Sequence, residues 1–340
     1  MGSDSGEART RVTLREIAEH AGVSVATASY VLSGTQKPGA RFSDETAERI
    51  RRSAAELRYL PNRMARSVRT GRTGVIQLVL HMLGDPWTQD IAETFTARAP
   101  EHGLTTLIAL DSDFAAALAR SEFDAAFVAA AGVSEPAQWR EALGALARKV
   151  AVYSPTLEPD GFDVIRFDER RAARLAVDHL IERHRRVACL VGASAADEPD
   201  GGVRRRAYIE AMTDAGLPIE AGFLMEFEKD VLDTYRAARA LLSRQDPPTA
   251  VFAEADFAAF ATVQTARELG LRVPEDVAVI GIGDSGLAQR SGMSSVGAMD
   301  MRERVVDFVL ERALDAATPQ SRVLDLDPVL FSRDSTRAQH

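Results

Sequence analysis

The chain has 340 residues, 46% hydrophobic and 27% charged, with a formal net charge of -9. That length predicts two or three domains with a sizeable core, and the balance is that of a soluble globular protein. No stretch approaches the ~20 consecutive apolar residues of a membrane span, and the single cysteine, Cys189, excludes an internal disulfide and points to a reducing cytoplasm.

Charge is unevenly spread along the chain. Residues 1–72 hold 13 basic and 8 acidic side chains, a net of +5, against -14 for the remainder. A basic head on an acidic body predicts a nucleic-acid contact confined to the head. The first ten residues, MGSDSGEART, are polar and contain acids. They read as a disordered segment over 1–10 and not as a secretion signal.

Thr13–Gly34, TLREIAEHAGVSVATASYVLSG, reads as two short helices joined by a tight turn. Thr13 caps the first, with Glu16 completing a capping box. Leu14, Ile17, Ala18 and Ala21 repeat at the spacing of a buried helical face. Gly22 supplies the left-handed conformation that ends a helix. Ser24 caps the second helix, whose inner stripe is Ala28, Val31 and Leu32, leaving Val25, Ala26, Ser29 and Tyr30 facing outward. A third helix begins at Ser43 and buries Ala47, Ile50, Ala54 and Leu57. Three helices with this turn make a helix-turn-helix unit, whose second helix enters the DNA major groove. Val25 and Ala26 are small and apolar where a merely solvated helix carries Lys or Glu, which suits contact with thymine methyls.

This segment, followed by FSDETAERIRRSAAELRYLPNRMARSVRTGRTGVIQLVL, resembles the amino-terminal region of LacI/GalR-family transcription regulators. The resemblance implies a DNA-binding head joined to a periplasmic-binding-protein-like effector domain, working as a homodimer, with tetramers left open, on double-stranded operator DNA. The residues matching the family's base readers are Val25, Ala26 and Tyr30. Those matching its phosphate contacts are Thr13, Leu14, Ser24, Thr27 and Ser29. Ala28 replaces the usual valine, and Tyr30 stands where arginine or histidine is common.

The stretch Pro61–Gly74 has four arginines and no acid. The resemblance makes it a hinge that folds on the operator and wedges open the minor groove. Asn62, Arg63, Ala65, Arg66, Val68 and Arg69 are the expected DNA contacts, apolar groups inserting while arginines hold the backbone. Val68 occupies the wedge position usually held by leucine and, being shorter, is expected to open the groove less.

From Val75 onward, apolar runs alternate with amphipathic helices. The strand-like runs are 75–80, 105–110, 124–130, 149–154, 163–168, 186–192, 224–228, 249–255 and 276–283. Strand–helix alternation with buried strands means parallel sheets covered by helices on both faces, and this many strands predicts two lobes with a ligand cleft between them. The expected fold is a small all-α helix-turn-helix head plus an α/β periplasmic-binding-protein-like effector domain of two doubly wound parallel-sheet lobes. Its divisions are a helix-turn-helix domain over 11–60, a hinge over 61–73 and an effector-binding and dimerisation domain over 74–335. The resemblance implies three crossovers, placed near 157–163, 288–294 and 319–326. Lobe 1 then spans about 74–158 and 292–321, and lobe 2 about 161–289 and 325–335.

GIGDSG, Gly281–Gly286, matches the dinucleotide-binding pattern G-x-G-x-x-G after a strand. The following LAQRSGMSSVGA is a poor helix, so an NAD(P)-dependent oxidoreductase is the lesser reading and no cofactor is expected. The resemblance makes this the loop that holds effector, with Gly283 in place of the usual first aspartate and Asp284 beside it. It also carries over Arg204, Trp87 with neighbouring Thr88, and Asp256, the last doubling as a helix N-cap. The resemblance implies a small-molecule effector whose identity the sequence leaves open, with a sugar or sugar derivative as one candidate, and Gly283 weakens an ordinary sugar site. A regulator with a degenerate, effector-free cleft is the alternative. Catalytic and metal readings fail: GASAA lacks the second glycine of a nucleophile elbow, and His179 and His184 point about 140° apart on a helix.

Overall fold

The computed structural model describes residues 12–33, 42–59, 71–80, 82–110, 113–129, 140–141, 143–192, 202–227, 231–315 and 321–337. The hinge contacts expected at Asn62, Arg63, Ala65, Arg66, Val68 and Arg69 lie outside the described residues. The chain divides into two compact units, residues 1–73 and 74–340.

The first unit is built from helices α1 (Leu14–His20), α2 (Val25–Ser33) and α3 (Asp44–Glu56). Local chemistry sets each boundary. The Thr13 backbone N–H donates to Glu16 Oε2 at 2.6 Å while the Glu16 N–H donates to Thr13 Oγ1, closing the capping box at α1. That backbone hydrogen bond holds the Glu16 carboxyl below its ordinary value. Gly22 has φ +63°, and the Val23 N–H donates to the Ala18 carbonyl at 2.9 Å, so the chain leaves α1 through a left-handed turn. Ser43 Oγ accepts the Thr46 N–H to start α3. The helices meet over Ile17, Ala18, Ala21, Ala28, Val31, Ala47, Ile50 and Ala54, all buried. Arg49 Nε donates to the Ala21 carbonyl at 2.9 Å and ties α3 to the turn.

The second unit contains two six-stranded sheets, the first parallel throughout and the second with five parallel strands and one antiparallel edge strand. Sheet 1 uses β1 (Val75–Leu80), β2 (Thr105–Leu110), β3 (Ala125–Ala129), β4 (Val150–Tyr153), β5 (Asp163–Phe167) and β11 (Val323–Leu326), in the order β11-β5-β4-β3-β1-β2. Sheet 2 uses β6 (Val187–Gly192), β7 (Leu224–Phe227), β8 (Ala250–Ala253), β9 (Ala278–Ile282), β10 (Ser294–Gly297) and β12 (Val329–Phe331), in the order β12-β10-β9-β8-β6-β7. All described pairings are parallel except β10 with β12. Lobe 1 carries helices α4 (Pro86–Arg98), α5 (Phe114–Ala119) and α11 (Met301–Leu314). Lobe 2 carries α6 (Glu169–Ile181), α7 (Val203–Asp214), α8 (Val231–Leu242), α9 (Asp256–Glu268) and the short α10 (Gly286–Arg290). Strands β1, β3, β6, β8 and β9 are buried almost throughout, which explains why they read as continuous apolar runs.

Each crossover falls later than the sequence-based placement. The chain passes between lobes after β5, after β10, and between β11 and β12. Thus β5 and β11 belong to lobe 1 and β10 to lobe 2, correcting the assignments built on 157–163, 288–294 and 319–326. The cause is a long-range charge cluster that local patterning does not display. Asp163, 1% exposed, accepts Arg312 Nε at 2.9 Å, the Arg322 N–H at 2.8 Å and Arg322 Nη2 at 2.9 Å. These contacts pin β5 beside β11 and under α11. Register then follows, with Ala151 opposite Asp163 and Val323 opposite Val164. LAQRSGMSSVGA also departs from expectation: Ser285 Oγ caps a five-residue helix, α10, and SSVG is a strand.

Candidate functional site

On the first unit, the N-terminal half of α2 forms a polar and small-apolar face. Val25 is 44% exposed and Ala26 is exposed, while Ser29 and Tyr30 are half-buried. Ser24 Oγ accepts the Thr27 N–H at 3.1 Å and lies 2.8 Å from Thr27 Oγ1. The helix start is thereby fixed, with Ser24 exposed. Thr13 is exposed at the start of α1, and Leu14 packs against the head core. Buried Ala28 and Val31 face inward, so Val25 and Ala26 are aimed outward by the same core that orders the helix. Apolar groups held on an exposed, rigid helix start can touch base edges and thymine methyls.

In the second unit, the C-terminal ends of strands from both lobes converge on an interlobe cleft. Trp87, at the start of α4, packs against Tyr153 at the end of β4, with ring centroids 4.9 Å apart and planes tilted by 46°. Trp87 Nε1 is buried and has no hydrogen-bond partner. From lobe 2, Arg204 at the start of α7 reaches the Glu254 carbonyl and the Glu169 carboxylate, the latter at 3.2 Å, while its Nε is buried and unpartnered. Burial pulls the Arg204 guanidinium down, but Glu169, Glu254 and Tyr153 outweigh it and hold it above its ordinary value. Burial, reinforced by the Glu169 charge, pushes the Tyr153 phenol up, so it is a neutral hydroxyl at physiological pH. The group offers aromatic faces, two unmet N–H donors and carboxylate acceptors.

A cavity of about 290 Å³ adjoins this cluster, bounded among others by Trp87, Asp90, Asp284, Asp300, Arg302 and Arg333. Asp284 has φ +46°, accepts Arg333 Nη2 at 2.6 Å and Gln289 Nε2 at 3.1 Å, and lines the cavity. Trp87 and Asp284 therefore line the same cavity. Thr88 does not: it is fully buried, and both its N–H and its hydroxyl donate to Asp85, the cap of α4. Asp256 is the first residue of α9, not its N-cap, which is Ala255. Its carboxylate, 2% exposed, turns to the loop after β9 and accepts the Ser285 N–H and Ser285 Oγ, each at 2.7 Å, and Ser295 Oγ at 2.6 Å. Burial raises its pKa to about 6 against these hydrogen bonds. Asp256 is a positioning residue for the loop and stands behind the cleft wall.

The same contacts explain GIGDSG. A Cβ on Gly281 would sit 2.5 Å from Asp256 Oδ1, and Gly283 has φ +131°. The N–H groups of Ser285 and Gly286, which a pyrophosphate needs, are taken by the carboxylates of Asp256 and Asp90. The glycines serve close packing around acids, an arrangement that repels a dinucleotide.

Sequence reading missed Tyr153, Glu169, Glu254 and Asp90. Asp90 lies three residues after Trp87 and so shares its helical face; an acid on that face was the available signal. Cys189 is fully buried in β6, and burial pushes its thiol well up. His179 Nε2 lies 2.8 Å from Thr336 Oγ1, and no cluster of metal-ligating side chains exists among the described residues.

Residues 13–62 match the family described as bacterial regulatory proteins, lacI family, and residues 177–336 match the periplasmic binding protein-like domain. The chain belongs to the LacI/GalR family of DNA-binding transcriptional regulators. Within that family it is 29% identical over 291 residues to the HTH-type transcriptional regulator DegA of Bacillus subtilis (strain 168), covering 82% of this chain and 83% of DegA. The solved transcriptional regulator CelR–cellobiose complex is 26% identical, with TM-score 0.59, covering 96% of this chain and all of that one. The lac repressor dimer bound to operator and the anti-inducer ONPF shares the fold, with TM-score 0.72 at 21% identity, covering 97% of this chain and all of that one. This LacI/GalR regulator thus combines a DNA-binding head with an effector domain, and none of its described helices is long and apolar enough to cross a membrane.

Proposed function

We propose that the protein is a cytoplasmic repressor that binds a pseudo-palindromic operator as a homodimer and answers to a small neutral, hydroxyl-rich effector, a sugar or sugar derivative. The observation that carries the DNA reading is the outward display of Val25 and Ala26 on a capped, core-anchored helix start. Val25, Ala26 and Tyr30 read bases; Thr13, Leu14, Ser24, Thr27 and Ser29 hold phosphates. Asn62, Arg63, Ala65, Arg66, Val68 and Arg69 complete the interface at the minor groove. Two-fold symmetry of the protein then demands two half-sites. Strand β2 supports dimerisation: it is a sheet edge with Leu107, Ile108 and Leu110 each more than 40% exposed.

The effector reading rests on the cleft chemistry. The tilted pair of Trp87 and Tyr153 suits the apolar face of a sugar ring, and the unmet Trp87 Nε1 and Arg204 Nε donors suit its oxygens. Arg204 is already paired with Glu169, and Asp284 with Arg333, so no uncommitted cation among these residues favours a phosphate. The related CelR has been solved with cellobiose. No catalytic step follows from this set of groups, and the protein acts by binding. Effector binding shifts the balance of lobe arrangements and, through the hinge, operator affinity. The test is selection of random duplex DNA by the full-length protein, then competition of the retained operator by a panel of sugars and sugar phosphates. Recovery of pseudo-palindromes whose retention responds to a neutral sugar supports the reading; retention without sequence preference overturns it.

A further inference from the structure

One carboxylate joins the two lobes where neither the DNA head nor the ligand-facing aromatics require it. Asp90 lies on α4 of lobe 1 and is 9% exposed. Its Oδ2 accepts the backbone N–H of Gly286, the first residue of α10 in lobe 2, at 2.6 Å. The two residues are separated by 196 positions. Arg302, just beyond the second crossover, comes within 3.7 Å of the same oxygen.

Both ends of this contact are held rigidly. On the lobe 1 side, α4 is anchored by Ile91 and Phe95, both fully buried. On the lobe 2 side, Asp256 grips Ser285, and Asp284, immediately before it, is paired with Arg333. Gly286 is needed for the approach, because a Cβ there would lie 3.0 Å from Asp90 Oδ1 and 2.7 Å from the mobile end of Arg290. Separating the lobes at this edge breaks a buried, charge-assisted hydrogen bond and leaves the carboxylate to Arg302 and water.

We propose that Asp90 and Gly286 form an interlobe latch, at the wall of the same cavity, that sets the balance between closed and open lobes. The inference rests on the two-lobed effector reading and specifies how that site is regulated. A side chain that loses the acceptor, or a Cβ that intrudes at Gly286, shifts the balance toward open. An amide at position 90 retains an acceptor oxygen for the Gly286 N–H and preserves much of the closed population.

The test is the interlobe distance distribution from pulsed electron–electron spin resonance on the full-length protein. Labels go on cysteines introduced at exposed Glu101 in lobe 1 and Arg267 in lobe 2, with labelled chains diluted into unlabelled chains. Cys189 is fully buried and does not take label. Asp90→Ala is expected to lower the closed-to-open ratio about tenfold, the scale of one charged buried hydrogen bond. Gly286→Ala, which leaves the carboxylate in place, is expected to move it in the same direction, and Asp90→Asn to move it least. Distributions of Asp90→Ala and Gly286→Ala that coincide with the parent overturn the latch. Operator affinity measured on the same proteins separates the two layers. Opened lobes with unchanged operator affinity leave the latch standing and overturn the coupling of cleft to operator.

Discussion

Ser24 offers a direct way to separate folding of the head from DNA contact. Its Oγ accepts the Thr27 N–H at 3.1 Å and caps α2, yet the residue is exposed and is placed here against a phosphate. Ser24→Ala removes the cap and costs about 1 kcal/mol of helix stability. Ser24→Asp keeps a capping oxygen, since Asp caps as well as Ser, and its charge favours the N-terminus of a helix. The same charge placed about 5 Å from a phosphate repels it by about 1 kcal/mol in water and by about 3 kcal/mol at a surface dielectric near 20. With two heads on one operator the effect doubles, so Ser24→Asp is expected to weaken binding by at least about tenfold, most strongly at low salt. Amide exchange at Thr27 and Ala28 checks the cap, and fluorescence anisotropy with operator DNA checks affinity. Protected amides together with operator affinity within about twofold of the parent would refute the placement of α2 against DNA.

Other outcomes follow from buried charge and from the hinge. Asp163→Asn removes the buried carboxylate that Arg312, 5% exposed, and Arg322 share; the effector domain is expected to lose about 3–5 kcal/mol in urea unfolding, against under 1 kcal/mol if the cluster is incidental. Asp256 titrates near 6 when folded and near 3.9 when unfolded, so the folded state holds the extra proton between those values. Its contribution to stability is therefore greatest below about pH 4 and is lost as pH rises through about 6, by about 3 kcal/mol. Parent-minus-Asp256→Asn differences in urea unfolding across pH 4–7 are expected to show that slope, and a flat difference would contradict it. Val68→Leu is expected to increase operator bending in a ligation assay by deeper minor-groove insertion.

The parts of the fold legible in sequence were those written in neighbouring residues. Thr13 with Glu16, Gly22 and Ser24 mark the head helices because capping acts over three or four positions. The buried strands β1, β3, β6, β8 and β9 stand out because both faces are covered. Strands β10, β11 and β12 were not legible: SSVG is rich in Ser and Gly, and VLDL and VLF are short. Which lobe claims a strand was equally hidden, since Asp163 finds its arginines 149 and 159 residues away.

The candidate cleft was legible only where a family pattern reached it. Trp87 and Asp284 line one cavity, whereas Thr88 and Asp256 have polar side chains committed to Asp85, Ser285 and Ser295. Tyr153, Glu169 and Glu254 enter from three separate elements, and only the closed tertiary geometry makes them neighbours of Arg204 and Trp87. Gly286 had looked like the end of a phosphate loop. In the structure its missing side chain makes room for Asp90.

The account stands most directly on whether the basic head and hinge hold operator phosphates. Operator affinity of the full-length protein, titrated across salt concentrations, measures this. If Arg63, Arg66 and Arg69 of each subunit each neutralise one phosphate, six contacts give a slope of log affinity against log salt of about -5. A slope near that value supports the account; affinity that does not change with salt contradicts it.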